Sequence, residues 1–315
     1  MKSLNIGVFN PSNIYQASPM PGDDVFAKGL EANGYKVTRY DYRDKQDKTI
    51  LEVAKDINPD LIWFGKCETV SLDEIIELRK EFPKAIFVKW AADVRSEPVE
   101  LDIKQAGLMD FFFGTFGGDY LKRYKSPNNI VASIVAFTDS DLFYPVEVEE
   151  KWKSDVLFTG RTNMIAEVNR TEYLSYLKSN NVNLKWYGQE NWIQFPDYRL
   201  AINGAKIGLG LNHFIKPLYS SDRLGNYLAC GTFYLSQYFP GIERVFNRYE
   251  LDWFSTKEEC LNKIWFYLKN EELREEMAQR ARKIALEYFD YKPLVKNCLN
   301  IIETGRSNNE WDDVF

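Results

Sequence analysis

Four short stretches in the C-terminal half place chemically capable side chains directly after apolar, β-rich runs. "DVLFTGR" ends in Gly160 and Arg161. "LKWYGQENW" carries Tyr187, Gly188 and Gln189, and "IGLGLNHF" carries Asn212 and His213. In "SSDRLGNYLACG" a short helix opens with Arg223: Ser220, Ser221 and Asp222 are good N-cap types, and Gly231 is a good stop. A cation in a first helical turn opposes the partial charge of the free N–H groups by a few tenths to about 1 kcal/mol. Either Asp222 neutralises Arg223, or an outside anion does. Two arginines, a histidine and a helix N-terminus at one rim make a receptor for a di-anion such as a diphosphate. Each residue also has a plainer reading. Arg161 could be a solvated loop residue, His213 a hydrogen-bonded structural histidine, and Arg223 the partner of Asp222 alone, although adjacent helix residues face each other poorly.

The surrounding pattern predicts the elements that bring these stretches together. Short apolar runs alternate with helical segments along nearly the whole chain. The first half reads as strands at "LNIGVFN", "DLIWFG", "AIFVKW", "DFFFG" and "IVASIVAF". Helices are expected near 23–33, 49–57, 72–82, 98–106 and 119–124. The second half repeats the rhythm, with strands at "DVLFTG", "VNLKWYG", "AKIGLGLN", "TFYLSQ" and "LDWFS". Its helices are expected near 166–179, 223–229, 257–268 and 272–288, with a last one near 294–303. That alternation implies βαβ units and mainly parallel sheets. The charged, proline-bearing stretch 138–155 breaks it and reads as a linker. The expected organisation is an α/β chain of two tandem Rossmann-like domains, 1–145 and 146–290, with a cleft between them. Residues 291–315 form a final helix and tail packing back on the first domain. Open parallel sheets bind ligands at the carboxyl ends of their strands, so the four stretches should share one rim.

Bulk properties narrow the function. The chain has 315 residues, 45% hydrophobic and 15% aromatic, which suits two packed cores. A net charge of −6 argues against a nucleic-acid backbone binder. No apolar run reaches the ~18 residues of a membrane helix, and the N-terminus leads straight into a strand pattern, so a cytoplasmic location is expected with peripheral membrane contact left open. Cys67, Cys230, Cys260 and Cys298 are widely spaced and read as buried reduced thiols. With one histidine and no paired cysteines, no metal cofactor is expected; "DSD" at 139–141 reads as turn chemistry.

The order "DVLFTGR", then about sixty residues later "SSDRLGNYLACGTFYLS", then the helical "EELREEMAQRARKIALEYF" resembles the nucleotide-sugar half of a GT-B glycosyltransferase. The pattern is most similar to the CgeB-like, spore-maturation-protein type related to glycosyltransferase family 4. The resemblance covers about 155–288; the first half is similar only in style. It implies a nucleoside-diphosphate-sugar donor held by the second domain and a glycan, lipid-linked or small-molecule acceptor. By that resemblance Arg161 and Arg223 hold the diphosphate, and Tyr187, Gly188 and Gln189 flank the nucleoside. His213 lies near the phosphates or the sugar, among the catalytic groups, and Asn226 stands where related enzymes carry a ribose-gripping glutamate. The other glutamate of that signature falls on Leu218, so the paired-glutamate signature is absent.

Breaking an anomeric C–O bond leaves negative charge on a diphosphate, which preorganised arginines stabilise most in the transition state. An inverting reaction also needs a base from the first domain. Asp93, after "VKWAA", is the favoured candidate; Glu68 and the pair Asp23 and Asp24 are alternatives, with solvation and helix capping as their plainer roles. The loop 10–22, with Tyr15 and Gln16, suits the acceptor side. Competing functions are a nucleotide-sugar 2-epimerase of the same architecture, which a single histidine disfavours, and a two-domain binding protein of the periplasmic type, whose export signal is missing. A non-catalytic relative that still binds nucleotide sugars is the remaining alternative.

Overall fold

Eleven strands among the described residues pair exclusively in parallel, in two separate sheets. The computed structural model describes residues 1–10, 22–162, 166–188 and 190–315. The contacts divide these into two units: the chain up to Val135 together with Tyr291–Phe315, and Ala136–Asp290.

The first unit holds β1 (Lys2–Gly7), β2 (Lys36–Asp41), β3 (Leu61–Phe64), β4 (Ile86–Ala91), β5 (Phe111–Gly114) and β6 (Ile130–Ser133), in the order β2-β1-β3-β4-β5-β6. Its helices are α1 (Asp23–Ala32), α2 (Ile50–Ile57), α3 (Leu72–Glu81), α4 (Glu100–Ala106) and α5 (Gly118–Lys122). Reciprocal side-chain and backbone bonds between Thr49 and Glu52 start α2, and the same bonds between Ser71 and Glu74 start α3. β3 is buried at all four residues, as a strand covered on both faces must be. β2 escapes the sequence pattern because it is an edge strand: "KVTRYD" buries only Asp41 fully and shows no apolar run.

The second unit holds β7 (Ser154–Thr159), β8 (Leu184–Tyr187), β9 (Ala205–Gly210), β10 (Phe233–Gln237) and β11 (Asp252–Phe254), ordered β11-β10-β9-β7-β8. Between them run α6 (Arg170–Ser179), α7 (Asp197–Asn203), α8 (Arg223–Ala229), α9 (Ile242–Val245), α10 (Lys257–Lys269) and α11 (Glu271–Ile284), the last continuing as a π turn over Ala285–Phe289. Val156, Phe158, Ile207, Leu209, Leu235 and Phe254 fill the core from the strands. The short helices α7 and α9 carry too few turns to show a period. α6 starts at Arg170 and not near 166, because Asn169 caps it through the N–H of Glu172.

The final helix α12 (Tyr291–Thr304) packs on α1 of the first unit, and Phe315 exchanges backbone hydrogen bonds of 3.1 and 2.9 Å with Val131 on the edge strand β6. The second unit begins ten residues ahead of the 145/146 division expected from composition. Ala136, Phe137, Thr138 and Asp139 are buried, and the Thr138 N–H bonds the Phe289 carbonyl at 2.9 Å. A stretch that looks polar in sequence is thus partly a packing segment.

Candidate functional site

In the second sheet the chain runs β7 to β8 on one side, then returns to the other side of β7 for β9, β10 and β11. The switch in direction falls between β7 and β9, and at such a point the loops leaving the two strands diverge and open a crevice. Arg223, the first residue of α8, lies there. Its Nη1 donates to the carbonyl of Thr159 at the end of β7 (2.9 Å), and its Nη2 to the carbonyl of Leu211 just past β9 (2.7 Å). α8 lies close to β9 because residue 208 is glycine: a Cβ there would come within 2.1 Å of the Tyr227 ring.

A second arginine, which the sequence pattern left inside a helix, completes the site. Arg170, the first residue of α6, donates from Nη1 to the carbonyl of Arg161 at 3.0 Å, and the same nitrogen stands 2.5 Å from Nε2 of His213. Phe158 lies under both guanidiniums, 5.2 Å from Cζ of Arg223 and 5.6 Å from Cζ of Arg170. The two side chains belong to residues only 6% and 4% exposed. Arg170 bonds a carbonyl and a neutral imidazole, and Arg223 two carbonyls and the Tyr234 phenol, so none of these bonds compensates the charge; Asp222, next to Arg223, offsets part of it. A guanidinium stays protonated in a protein, so two like charges are buried side by side. The strain shows in Arg170: burial, then the charge of Arg223, push its pKa well down. Burial and the same two arginines press His213 down to about 3, which keeps the imidazole neutral.

The end of β7 is shaped for this crowding. Gly160 has φ +150°, and a Cβ there would sit 3.0 Å from Nη1 of Arg223 and 3.5 Å from Nη1 of Arg170. The carbonyl of Gly160 accepts from Nε1 of Trp186 at 3.1 Å, and its N–H donates to Tyr187 at 2.8 Å, locking the ends of β7 and β8 together. Gly188 donates to Oδ1 of Asn191 at 3.1 Å. Several buried donors around the rim have no partner among the described residues: Nε of Arg161, Arg170 and Arg223, Nδ1 of His213 and Nε1 of Trp192. A buried donor without an acceptor costs about 1–3 kcal/mol, more for a charged group. Asp222 is the acidic residue at the rim; with Thr159, Gly160, Trp192, Ile193, Tyr198 and Arg223 it lines a niche of about 30 Å³. That is room for roughly one or two water molecules and far too small for a nucleoside.

Residues 159–300 match the family profile described as glycosyl transferase-like. No curated protein sequence matches the chain. Among solved structures, sucrose-phosphate synthase from Thermosynechococcus elongatus is similar, with a TM-score of 0.65 at 12% identity over 96% of this chain and 98% of that one. A glycosyltransferase from Rickettsia africae ESF-5 gives 0.64 at 11% identity, covering 96% and 97%. Anabaena HepE in complex with UDP gives 0.58 at 9% identity, covering 96% and 99%.

The fold is GT-B.

Within the GT-B fold the residues singled out from sequence fall as follows. Arg161, His213 and Arg223 gather round the ends of β7 and β9, with Arg170 as the fourth member. Arg170 had a signal of the same kind as Arg223, a cation in a first helical turn, hidden by starting α6 four residues too early. Tyr187 and Gly188 lie at the end of β8; Gln189 lies outside the described residues, as do Tyr15 and Gln16 and most of the loop expected on the acceptor side. Asn226, expected to contact a ribose, is packed against the start of the second unit. It is 2% exposed, and its Oδ1 accepts from the Thr138 hydroxyl at 3.1 Å. Leu218, at the other glutamate position, is fully buried with φ +53°, a region few branched residues occupy. His213, expected among the catalytic groups, is too weak a base to shuttle protons at neutral pH.

In the first unit Asp93 is 63% exposed at its side chain and pairs with Lys66 at 2.7 Å. Asp23, beside the β1/β3 switch, is buried. Its Oδ2 accepts from the N–H of Val8 (2.7 Å) and its Oδ1 from Nε1 of Trp90 (2.8 Å), and burial raises its pKa to about 6. Both oxygens of Asp23 are thereby committed to holding strand ends. Asp24 pairs with Arg39, and Glu68 accepts from Tyr42 and Arg43. Among the described residues no group of three metal-ligating side chains occurs, and no helix is long and apolar enough to cross a membrane.

Proposed function

We propose that this chain transfers a glycosyl group, a hexosyl unit in the first instance, from a nucleoside-diphosphate sugar to a hydroxyl of a glycan, lipid-linked or small-molecule acceptor. The observation that carries the reading is the pair of buried guanidiniums, Arg170 and Arg223, with no charged hydrogen-bond partner, at the switch point of the second sheet. A diphosphate supplies negative charge beyond that of Asp222 and the acceptor oxygens for the orphaned N–H groups. HepE, solved with UDP, with UDP and glucose, and with UDP-glucose, supports uridine as the first base to test.

In the reaction the bond between the anomeric carbon and the diphosphate oxygen breaks, and its electron pair leaves on the diphosphate. The acceptor oxygen bonds to that carbon, and the hydroxyl proton passes to a carboxylate, for which Asp93 is the candidate. Arg161, Arg170 and Arg223 stabilise the growing charge on the leaving group without reorganising. The reading needs no metal, so a chelator should leave turnover unchanged. Arg161 is the arginine with the fewest structural commitments. Its replacement by alanine should weaken UDP binding roughly 10- to 100-fold, the worth of a charged hydrogen bond. Calorimetry with UDP and GDP tests this; unaltered affinity in Arg161→Ala removes that residue, and no nucleotide binding by wild type removes the reading.

A second reading has its own support. Asn226 and Leu218 at the two glutamate positions fit a non-catalytic relative that binds nucleotide sugars. Incubation with UDP-, GDP-, ADP- and dTDP-sugars separates the cases: hydrolysis or transfer supports the transferase, protection from thermal unfolding without turnover supports the second reading, and a 2-epimeric product supports an epimerase.

A further inference from the structure

We propose that Arg170 locks His213 as the Nδ1–H tautomer and that His213 serves the anion site as a neutral hydrogen-bond donor, neither acid nor base. The ligand half of this rests on the nucleoside-diphosphate reading above; the tautomer half does not.

The geometry leaves one assignment. A guanidinium has donors and no acceptor, so the 2.5 Å contact from Nη1 of Arg170 requires a lone pair on Nε2 of His213. A neutral ring then carries its proton on Nδ1. That nitrogen is buried and has no partner among the described residues, and the same holds for the Nε atoms of Arg161, Arg170 and Arg223. All are donors, and what satisfies a cluster of donors is a group rich in acceptor oxygens. The charged groups acting on the ring are Arg170 from α6 and Arg223 from α8, and with burial they hold its pKa to about 3. Glu167, on the segment before α6, is engaged elsewhere: its carboxylate takes the N–H of Ile215 and Nζ of Lys216, both at 3.0 Å. Its backbone N–H and that of Val168 donate to the His213 carbonyl, at 2.8 and 3.1 Å, which fixes where the ring starts from. Besides the charge it brings to the anion site, Arg170 is therefore a positioning residue for the ring of His213.

The chain has a single histidine, so one imidazole answers in a spectrum of uniformly 15N-labelled protein from which any polyhistidine tag has been removed. The expected result is a protonated Nδ1 and an unprotonated Nε2, with no titration between pH 5 and 8. Saturating UDP, with saturation established by calorimetry, should shift the Nδ1–H signal. Arg170→Met should raise the midpoint from about 3, with burial and Arg223 still holding it below the ordinary value of about 6.5, and Arg170→Lys, which keeps a donor, should largely restore the wild-type tautomer. A protonated Nε2 in wild type, or a wild-type midpoint near 6.5, overturns the proposal whether or not the variants fold. Bound UDP that leaves the Nδ1–H signal in place overturns the donor role. Absence of binding by UDP and GDP alike overturns the nucleotide reading and the donor role with it, while the tautomer is still read from the free protein.

Discussion

The guanidinium of Arg223 donates to the carbonyl of Thr159 at 2.9 Å, so the residue that brings positive charge to the site also ties helix α8 to the end of strand β7. Its second bond, to Leu211 beyond β9, makes it a clasp across the switch point. Buried charge and architecture share one side chain there, and mutations must be read with that in mind.

Arg223→Ala is therefore expected to do more than weaken nucleotide binding. It strands two strand-end carbonyls and opens space under α8, at a cost of about 2–4 kcal/mol. Urea unfolding of the variant measures this. A midpoint equal to wild type would mean the two carbonyl bonds contribute nothing.

Gly160→Ala should impair the fold and the site together. The positive φ costs a side chain about 1–3 kcal/mol, and the new methyl would meet both Arg223 and Arg170. Thermal unfolding and UDP calorimetry should both register the change. Normal stability with normal affinity would show that the strand end relaxes freely.

Asp312, near the C-terminus, should make stability depend on pH. Burial raises its pKa to about 6 although Ser307, Asn297 and Asn309 donate to it. A carboxyl raised in the folded state supports the fold fully only below its unfolded value near 4, and the support is lost as pH rises through about 6. From pH 5 to pH 8 the wild type should lose roughly 1–2 kcal/mol relative to Asp312→Asn. His213 runs the other way: its depressed pKa gives stability present above about 6.5 and lost toward pH 3. Because the two trends oppose each other, the difference between wild type and variant is the quantity to follow by denaturant titration. A difference that does not vary with pH contradicts the assignment.

Asp93→Asn should abolish glycosyl transfer and spare donor binding. The carboxylate is mostly exposed and pairs with Lys66 on the surface, so its loss should change stability by under about 1 kcal/mol. Normal turnover in the variant would remove Asp93 as the proton acceptor.

The sequence by itself determined the two parallel α/β halves and the rim that Arg161, His213 and Arg223 share. Apolar runs, helical periods and capping residues act over a few positions, and strand ends in a parallel sheet must meet. Edge strand β2 and the short α7 and α9 were hidden because they bury too little to leave a pattern. Only the tertiary structure decided that Arg170 joins Arg223 over Phe158, that His213 is held neutral, and that Asn226 serves Thr138. Those outcomes depend on which distant side chain removes which group from water and which charges then lie within a few ångströms, and no local spacing records that.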